Sequence, residues 1–470
     1  MSEIKMSKIA SGLSWSFGER ILAQGVSFLV SIVLARLLAP EEFGIISLIM
    51  IFINIANVFV LNGFGESLIQ KKDADVTDFS TVFWCSISLS VCLVIIIWIC
   101  APAISLFYDN NELVWPLRIL SLKLVLASFN SIQQAYISKN LMFKKMFFAT
   151  LVGTVASAFT GIAMAYLGFG VWALVAQYLT NSTIDTLTLF IIIDWKPRKI
   201  FSKKSAKNLV GYGWKITGAA LINELYTQLR SLVIGKVYST TDLAFYNRGN
   251  MFPQVIMTNI NAAVTKVFFP VMSNYSNDRN HLREFSRKSI KGTALVTFPI
   301  MAYLIVAADK IIPFLLTEKW AFSIPYMRIL CLYWIVQPLQ TTNWQVLKSV
   351  GRSDLCLKLE VIKKTIGIGL VVLTMSISIK ALAWSNALFA FISMLINMIP
   401  NHKLINYSIK DQFVDLFPII LLTAFSAGLA SMVSLVKCSD IIAILAEAFI
   451  CFGIYGLVLL IKLRNRAYYN

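Results

Sequence analysis

Ser16, Arg20, Gln24, Ser27 and Ser31 recur at spacings of four, four, three and four within an apolar stretch from Ser14 to Gly44. That spacing lines them along one face of a helix. A guanidinium among an amide and hydroxyls can hold an anion and exchange hydrogen bonds, which is binding chemistry. A polar stripe on a helix long enough to cross a bilayer must face protein or a water-filled cavity. Glu19, beside Arg20, either joins that face or is only its local partner.

Similar stripes follow along the chain. A second one holds Lys215, Asn223, Thr227 and Arg230, with Glu224 and Gln228 alongside. Asn247, Asn250, Gln254, Thr258, Asn261 and Thr265 share another face, with Arg248 and Lys266 near its ends. Lys123, Asn130 and Gln134 lie on one face of a fourth helix, Gln337, Gln340 and Thr341 fall in a tenth, and Asn54 and Asn57 in a second. Each charge near a bilayer centre costs about 2.5–3.5 kcal/mol to insert, so such residues persist where they meet water or a partner. The candidate binding residues are therefore Arg20, Gln24, Lys123, Asn130, Lys215, Asn223, Glu224, Arg230, Arg248 and Lys266. Their balance is basic, with Asp185 standing apart, and an anionic ligand would complement it. Two plainer readings compete. Arg118, Arg328, Lys215, Arg248 and Lys266 could snorkel to the interface, and the deeper charges could form internal salt bridges.

Catalytic constellations are missing. The two histidines, His281 and His402, fall in loops, and there is no G-x-x-x-x-G-K-[ST] or H-E-x-x-H motif. The seven cysteines show no CxxC; Cys85, Cys92, Cys100 and Cys451 lie in apolar helices as small packing residues. The expectation is a chain that is not an enzyme, holds no metal or cofactor, and does not drive transport by its own nucleotide hydrolysis.

These side chains need elements to position them, and composition says which. The chain is 57% hydrophobic and 14% charged, against about 25% charge in soluble proteins. Its apolar runs are continuous rather than alternating, which predicts membrane-spanning helices of about 20 residues and not a barrel. Fourteen are expected, at 13–37, 43–63, 80–104, 113–137, 147–167, 170–193, 211–236, 243–271, 292–316, 324–347, 358–378, 380–400, 414–435 and 440–461. The net charge of +18 does not point to nucleic acid, because Lys and Arg gather in alternate short loops. The richest is WKPRKIFSKKSAK, and the intervening loops APEE, YDNNE, STTD and LTEKW are neutral or acidic. That bias places both termini in the cytoplasm. A lipid-headgroup site is the lesser reading of the basic runs. No cleavable signal peptide is expected, since Glu19-Arg20 interrupts the first apolar run.

The chain also repeats itself. SIVLARLLAPEEFG at Ser31 to Gly44 answers SLVIGKVYSTTDLA at Ser231 to Ala244, an offset of 200 residues. LRILSL, with Arg118, answers MRILCL, with Arg328, at an offset of 210. Helices one to six thus recur as seven to twelve in the same orientation, as two lobes with a cleft between them. The expected organisation is a six-helix lobe at 1–194, a basic cytoplasmic linker at 195–210, a second six-helix lobe at 211–412 and two further helices at 413–470. The fold class is all-α and polytopic.

SGLSWSFGERILAQGVSFLVSIVLARLLAPEEFGIISL, GFGESLIQKKD at Gly63 to Asp73, FYNRGNMFPQV at Phe245 to Val255 and the RIL pair together resemble Wzx-type polysaccharide transporters, the subgroup similar to colanic-acid exporters in particular. These belong to the multidrug/oligosaccharidyl-lipid/polysaccharide exporter superfamily. The resemblance spans the chain. It implies a flippase of the bacterial inner membrane that moves polyprenyl-diphosphate-linked oligosaccharides for lipopolysaccharide, capsule or exopolysaccharide. It implies a cationic cavity in which Arg20 is the first-helix arginine, membrane lipids around it, and polysaccharide polymerase machinery as a further partner. The chemistry agrees, since a diphosphate wants cationic donors and sugars want Asn, Gln, Ser and Thr. A cation or drug antiporter would want an acidic, aromatic pocket, whereas Glu19, Asp185 and Glu224 are the acids available. A flippase for lipid-linked peptidoglycan precursors would share fold and cavity. A membrane polymerase or ligase would want one large outer loop, and a scaffold would not need polar stripes in both copies.

Overall fold

In hydrocarbon the backbone has no partner but itself, so long runs of Leu, Ile, Val, Phe and Ala close into helices. The computed structural model describes residues 6–61, 65, 67–68, 71, 74–435 and 439–467, with side chains described except at 6–17, 19–21, 208–210, 212, 215, 435 and 459–467. Among the described residues there is no β-strand. The α-helices are α1 (Met6–Leu37), α2 (Pro40–Leu61), α3 (Val76–Phe107), α4 (Val114–Ser121), α5 (Lys123–Asn140), α6 (Phe143–Tyr166), α7 (Val171–Ile192), α8 (Lys203–Val237), α9 (Thr240–Asn274), α10 (Arg279–Leu316), α11 (Ile324–Ile335), α12 (Gln337–Ser349), α13 (Ser353–Thr374), α14 (Ile379–Ile405), α15 (Ile409–Ser431) and α16 (Asp440–Ala467).

Helix starts are written locally. Asp75 and Asp78 form a capping box at α3, each carboxylate accepting the other's backbone N–H, and Ser408 with Asp411 does the same at α15. Ser202 caps α8 and Ser378 caps α14. The expected fourth and tenth spans are each broken. α4 passes to α5 at Leu122, and α11 to α12 at Val336, where Pro338 lies just inside the new helix. No proline accounts for the break at Leu122. Each broken helix follows a 3-10 turn, Asn111–Leu113 or Glu318–Ser323, so the repeat read in LRILSL and MRILCL extends to backbone shape.

Eight described helices are long and apolar enough to cross a membrane: α2, α3, α6, α9, α10, α14, α15 and α16. α7, α8 and α13 fall short because Asn181, Asp185, Glu224, Lys358, Glu360 and similar residues interrupt their apolar runs.

The chain divides into two compact units, Met1–Ala244 and Phe245–Asn470. In the first, α6 packs along α7 and α1 along α6, while α8 lies on α2 and α3. Ala149, Gly153, Ser157, Gly161 and Ala165, four apart on α6, are all buried. A stripe of small residues lets two backbones approach where lipid supplies no hydrophobic drive. A Cβ on Gly153 would come to 3.1 Å from the Asn181 carbonyl and 3.2 Å from the Asp185 Cβ. A Cβ on Gly44 would meet the Thr240 carbonyl oxygen at 2.1 Å, so α2 tolerates only glycine there. Phe79, Phe83, Ile132, Leu189 and Trp195 close one end of this unit.

In the second unit α10 is the central strut, touching α11, α12, α14, α15 and α16. Its core joins Ile290, Ala294, Phe298, Leu339, Met394, Met398, Tyr407, Leu416 and Tyr455.

Candidate functional site

In the first unit α5 carries Lys123 and Asn130 of the candidate set, with α7 packed beside it. Lys123 opens α5, and its Nζ lies 5.1 Å from the ring centre of Tyr178 on α7. This is a cation–π contact. Two turns on, Asn130 Nδ2 donates to Asp185 Oδ2 at 2.5 Å and its Oδ1 accepts from Gln134 Nε2 at 3.1 Å. Sequence reasoning set Asp185 apart from the stripes; the structure joins it to Asn130. The available signal was an aspartate in a span whose neighbours are Asn181, Ser182 and Thr186.

On α8, Asn223 is exposed, Glu224 is half-buried and accepts from Gln228 at 2.7 Å, and Arg230 is only 9% exposed. Gln24 on α1 is half-buried. The side chains of Arg20 and Lys215 lie outside the described residues, as does most of the Gly63 to Asp73 run.

In the second unit Arg248 is 6% exposed, its guanidinium 5.2 Å from the Trp320 ring centre and donating to Met251 Sδ at 3.1 Å. Lys266, on the same helix, is exposed. The amide stripe of α9 is engaged along its length. Trp334 Nε1 donates to Asn250 Oδ1 at 2.8 Å, Asn250 donates to Gln254 at 3.0 Å, and Thr341 donates to Asn261 at 3.2 Å.

Arg118 and Arg328, the two arginines of the RIL pair, are each engaged locally. Arg118 sits over Trp98 and Trp115 and donates to the Trp98 carbonyl; Arg328 pairs with Asp309.

Two ion clusters built on buried carboxylates escaped the sequence reading. Asp415 on α15 accepts hydrogen bonds from Arg287 Nε and Nη2 at 2.5 and 2.6 Å and from the Tyr407 hydroxyl at 3.0 Å, and lies 2.7 Å from Lys291 Nζ. Glu447 on α16, fully buried, pairs with Lys310 on α10. The carboxylate amid the apolar residues of α16 was the visible signal; its partner, 137 positions away, was not.

Outside the spans, Arg352 grips Asp354 through two hydrogen bonds of 2.8 and 2.7 Å and pulls its carboxyl down to about 2. Asp278 is likewise held below the usual carboxylate range, first by the His281 backbone N–H. Among the described residues no cluster of three or more His, Cys, Asp or Glu could hold a metal ion.

A sequence profile described as polysaccharide biosynthesis protein matches residues 33–325, more than half the chain. The chain belongs to that polysaccharide biosynthesis family. It is 26% identical over 383 residues, 81% of this chain and 79% of the relative, to the teichuronic acid biosynthesis protein TuaB of Bacillus subtilis. To the lipopolysaccharide biosynthesis protein WzxC of Escherichia coli it is 24% identical over 368 residues, 78% of this chain and 75% of the relative. Among solved structures, the lipid II flippase MurJ in an inward closed conformation superposes with a TM-score of 0.77 at 16% identity, over 97% of this chain and 100% of that one. That likeness shows the fold, an all-helical architecture that this chain shares with the lipid II flippase.

Proposed function

We propose that this family member is a flippase that carries polyprenyl-diphosphate-linked oligosaccharide repeat units across the bacterial inner membrane by alternating access. Its product feeds lipopolysaccharide, capsule or exopolysaccharide assembly. The observation that carries the reading is the burial of basic side chains, Arg230 and Arg248, inside apolar helices of a polysaccharide biosynthesis protein. A diphosphate is matched by guanidinium and ammonium donors, and sugar hydroxyls by the amides and hydroxyls beside them. Arg20, Lys123, Lys215, Arg230, Arg248 and Lys266 are assigned to the diphosphate, and Gln24, Asn130, Asn223 and Glu224 to polar contacts around it. We further assign fourteen spans, as lobes of six helices at 1–194 and 211–412, the linker at 195–210 and two added helices at 413–470, with both termini in the cytoplasm. The chain performs no covalent chemistry in this reading; polysaccharide polymerase machinery receives what it delivers.

A deletion strain tests the function directly. Loss of one surface polysaccharide together with build-up of undecaprenyl-linked repeat units is the expected result. A drug-efflux defect with intact glycans would overturn it in favour of an antiporter, and a block in peptidoglycan synthesis in favour of a peptidoglycan-precursor flippase.

A further inference from the structure

Three carboxylates are buried among the described residues, and each meets a cation. Asp78 pairs with Lys71, Asp415 with Arg287 and Lys291, and Glu447 with Lys310. Of the half-buried carboxylates among the described residues, Asp185 is the one with an oxygen sealed from solvent and unpartnered. It stands mid-way along α7 in the first unit, pressed against Gly153 of α6. Its Oδ2 takes one hydrogen bond, from Asn130, and its Oδ1 is sealed from solvent with no partner. The charged groups on the helices packed against α7 are committed elsewhere or distant. Lys145 on α6 pairs with Asp194, Lys139 on α5 donates to the Lys71 and Ala74 carbonyls, Lys123 lies over Tyr178, and Arg118 on α4 is held by Trp98. Lys144 is nine residues from Gly153, roughly 13 Å along α6. Glu41 and Glu42 open α2. The tyrosines Tyr136, Tyr166 and Tyr178 complete the titratable groups on these elements.

An ionised carboxylate with one bare oxygen and no counter-ion is the costliest state a buried group can adopt, and such a group neutralises instead. A metal cation would need several oxygen ligands. The nearest side chain presents an N–H to the carboxylate, and the amide oxygen behind that N–H already accepts from Gln134. We propose that Asp185 is a proton-binding site within the membrane, with Asn130 and Gln134 as its positioning residues. In the loaded state Oδ1 carries the proton. On release the O–H bond breaks, its electron pair stays on the carboxylate, Asn130 Nδ2 stabilises the anion, and the proton passes to water when the site opens. Coupling of this proton to transport rests on the flippase reading above; the protonation itself does not.

Infrared spectroscopy of the full-length protein in lipid nanodiscs, without substrate, tests the site. The wild type should show a protonated-carboxyl C=O band at neutral pH that shifts in heavy water. That band should vanish in Asp185→Asn and move in frequency in Asn130→Leu, which removes the donor. An Asp185→Asn spectrum identical to wild type overturns the proposal. So does a band that gives way to a carboxylate when sodium replaces an organic cation, since the ligand would then be a metal ion. Should Asp185→Asn fail to insert, a wild-type band insensitive to Asn130→Leu is overturning and a displaced one is supporting. In proteoliposomes loaded with a lipid-linked oligosaccharide, an imposed pH gradient should change the wild-type flipping rate. For Asp185→Asn the ratio of rates with and without the gradient should fall to about one, the value for uncoupled sites. Flipping by Asp185→Asn that keeps the wild-type gradient response overturns the coupling while leaving the flippase reading intact.

Discussion

A guanidinium buried in an apolar helix is kept there against a cost of about 2.5–3.5 kcal/mol. Arg230 and Arg248 are both below a tenth exposed, and their proposed use is to receive a diphosphate. A charge-assisted hydrogen bond contributes about 1.5–3 kcal/mol. Arg230→Gln should therefore lower polysaccharide export about ten- to hundredfold while membrane insertion, read by a fluorescent fusion, stays at the wild-type level. Normal export would remove Arg230 from the binding set. At the surface the chemistry is milder. Arg352 depresses the Asp354 carboxyl to about 2, below the ordinary aspartate value of about 3.9. A depressed carboxyl contributes stability above its unfolded value and loses it as pH falls through its folded one. The pair's contribution should thus fade between about pH 4 and pH 2, and Arg352→Gln should return Asp354 to the ordinary range, as followed by carboxyl NMR of labelled protein.

Among the elements, small residues and paired charges supplement the apolar cores in packing the helices. Gly153→Leu would drive a side chain into the Asn181 carbonyl and Asp185. Overpacking of this kind costs about 1–3 kcal/mol, and thermal unfolding in detergent should show a lower midpoint. Glu447→Leu should strand Lys310 in the interior, where breaking a buried pair costs about 3–5 kcal/mol. The double variant with Lys310→Met should recover most of that loss, and a double variant no more stable than Glu447→Leu alone would show the pair to be unimportant. What could be read in the chain follows the same division. Apolar runs sufficed for the all-helical class, because helix-forming runs are local. The stripe residues Lys123, Asn130 and Gln134 were legible for the same reason. Asn130 with Asp185, Arg287 with Asp415 and Lys310 with Glu447 were not, since each is set by which helices pack together across 55, 128 and 137 positions. The breaks at Leu122 and Val336 were also missed; only the second has a proline beside it.

For the molecule as a whole, sequence repeat and compactness divide the chain differently. The proposed second copy of the repeat starts near residue 211, whereas the compact units part between Ala244 and Phe245, because α8 packs on α2 and α3. The basic stretch before α8 belongs to the first unit by contact as well. Arg198 N–H donates to Ser80 Oγ at 3.1 Å, Ser202 N–H to Thr81 Oγ1 at 3.0 Å, and Trp84 Nε1 to the Arg198 carbonyl at 2.9 Å. The stretch is thus strapped to α3, with Lys196, Arg198, Lys199, Lys203 and Lys204 exposed.

Flipping by the purified protein is the most direct measurement. The full chain in liposomes, supplied with a fluorescent polyprenyl-diphosphate oligosaccharide in one leaflet, should move the label to the other leaflet faster than protein-free liposomes do. Arg230→Gln should slow that movement about ten- to hundredfold, on the charge-assisted hydrogen-bond scale used above. Liposomes in which the wild type moves no lipid-linked oligosaccharide, yet expels a cationic dye against a gradient, would contradict the central claim that buried cations receive a diphosphate.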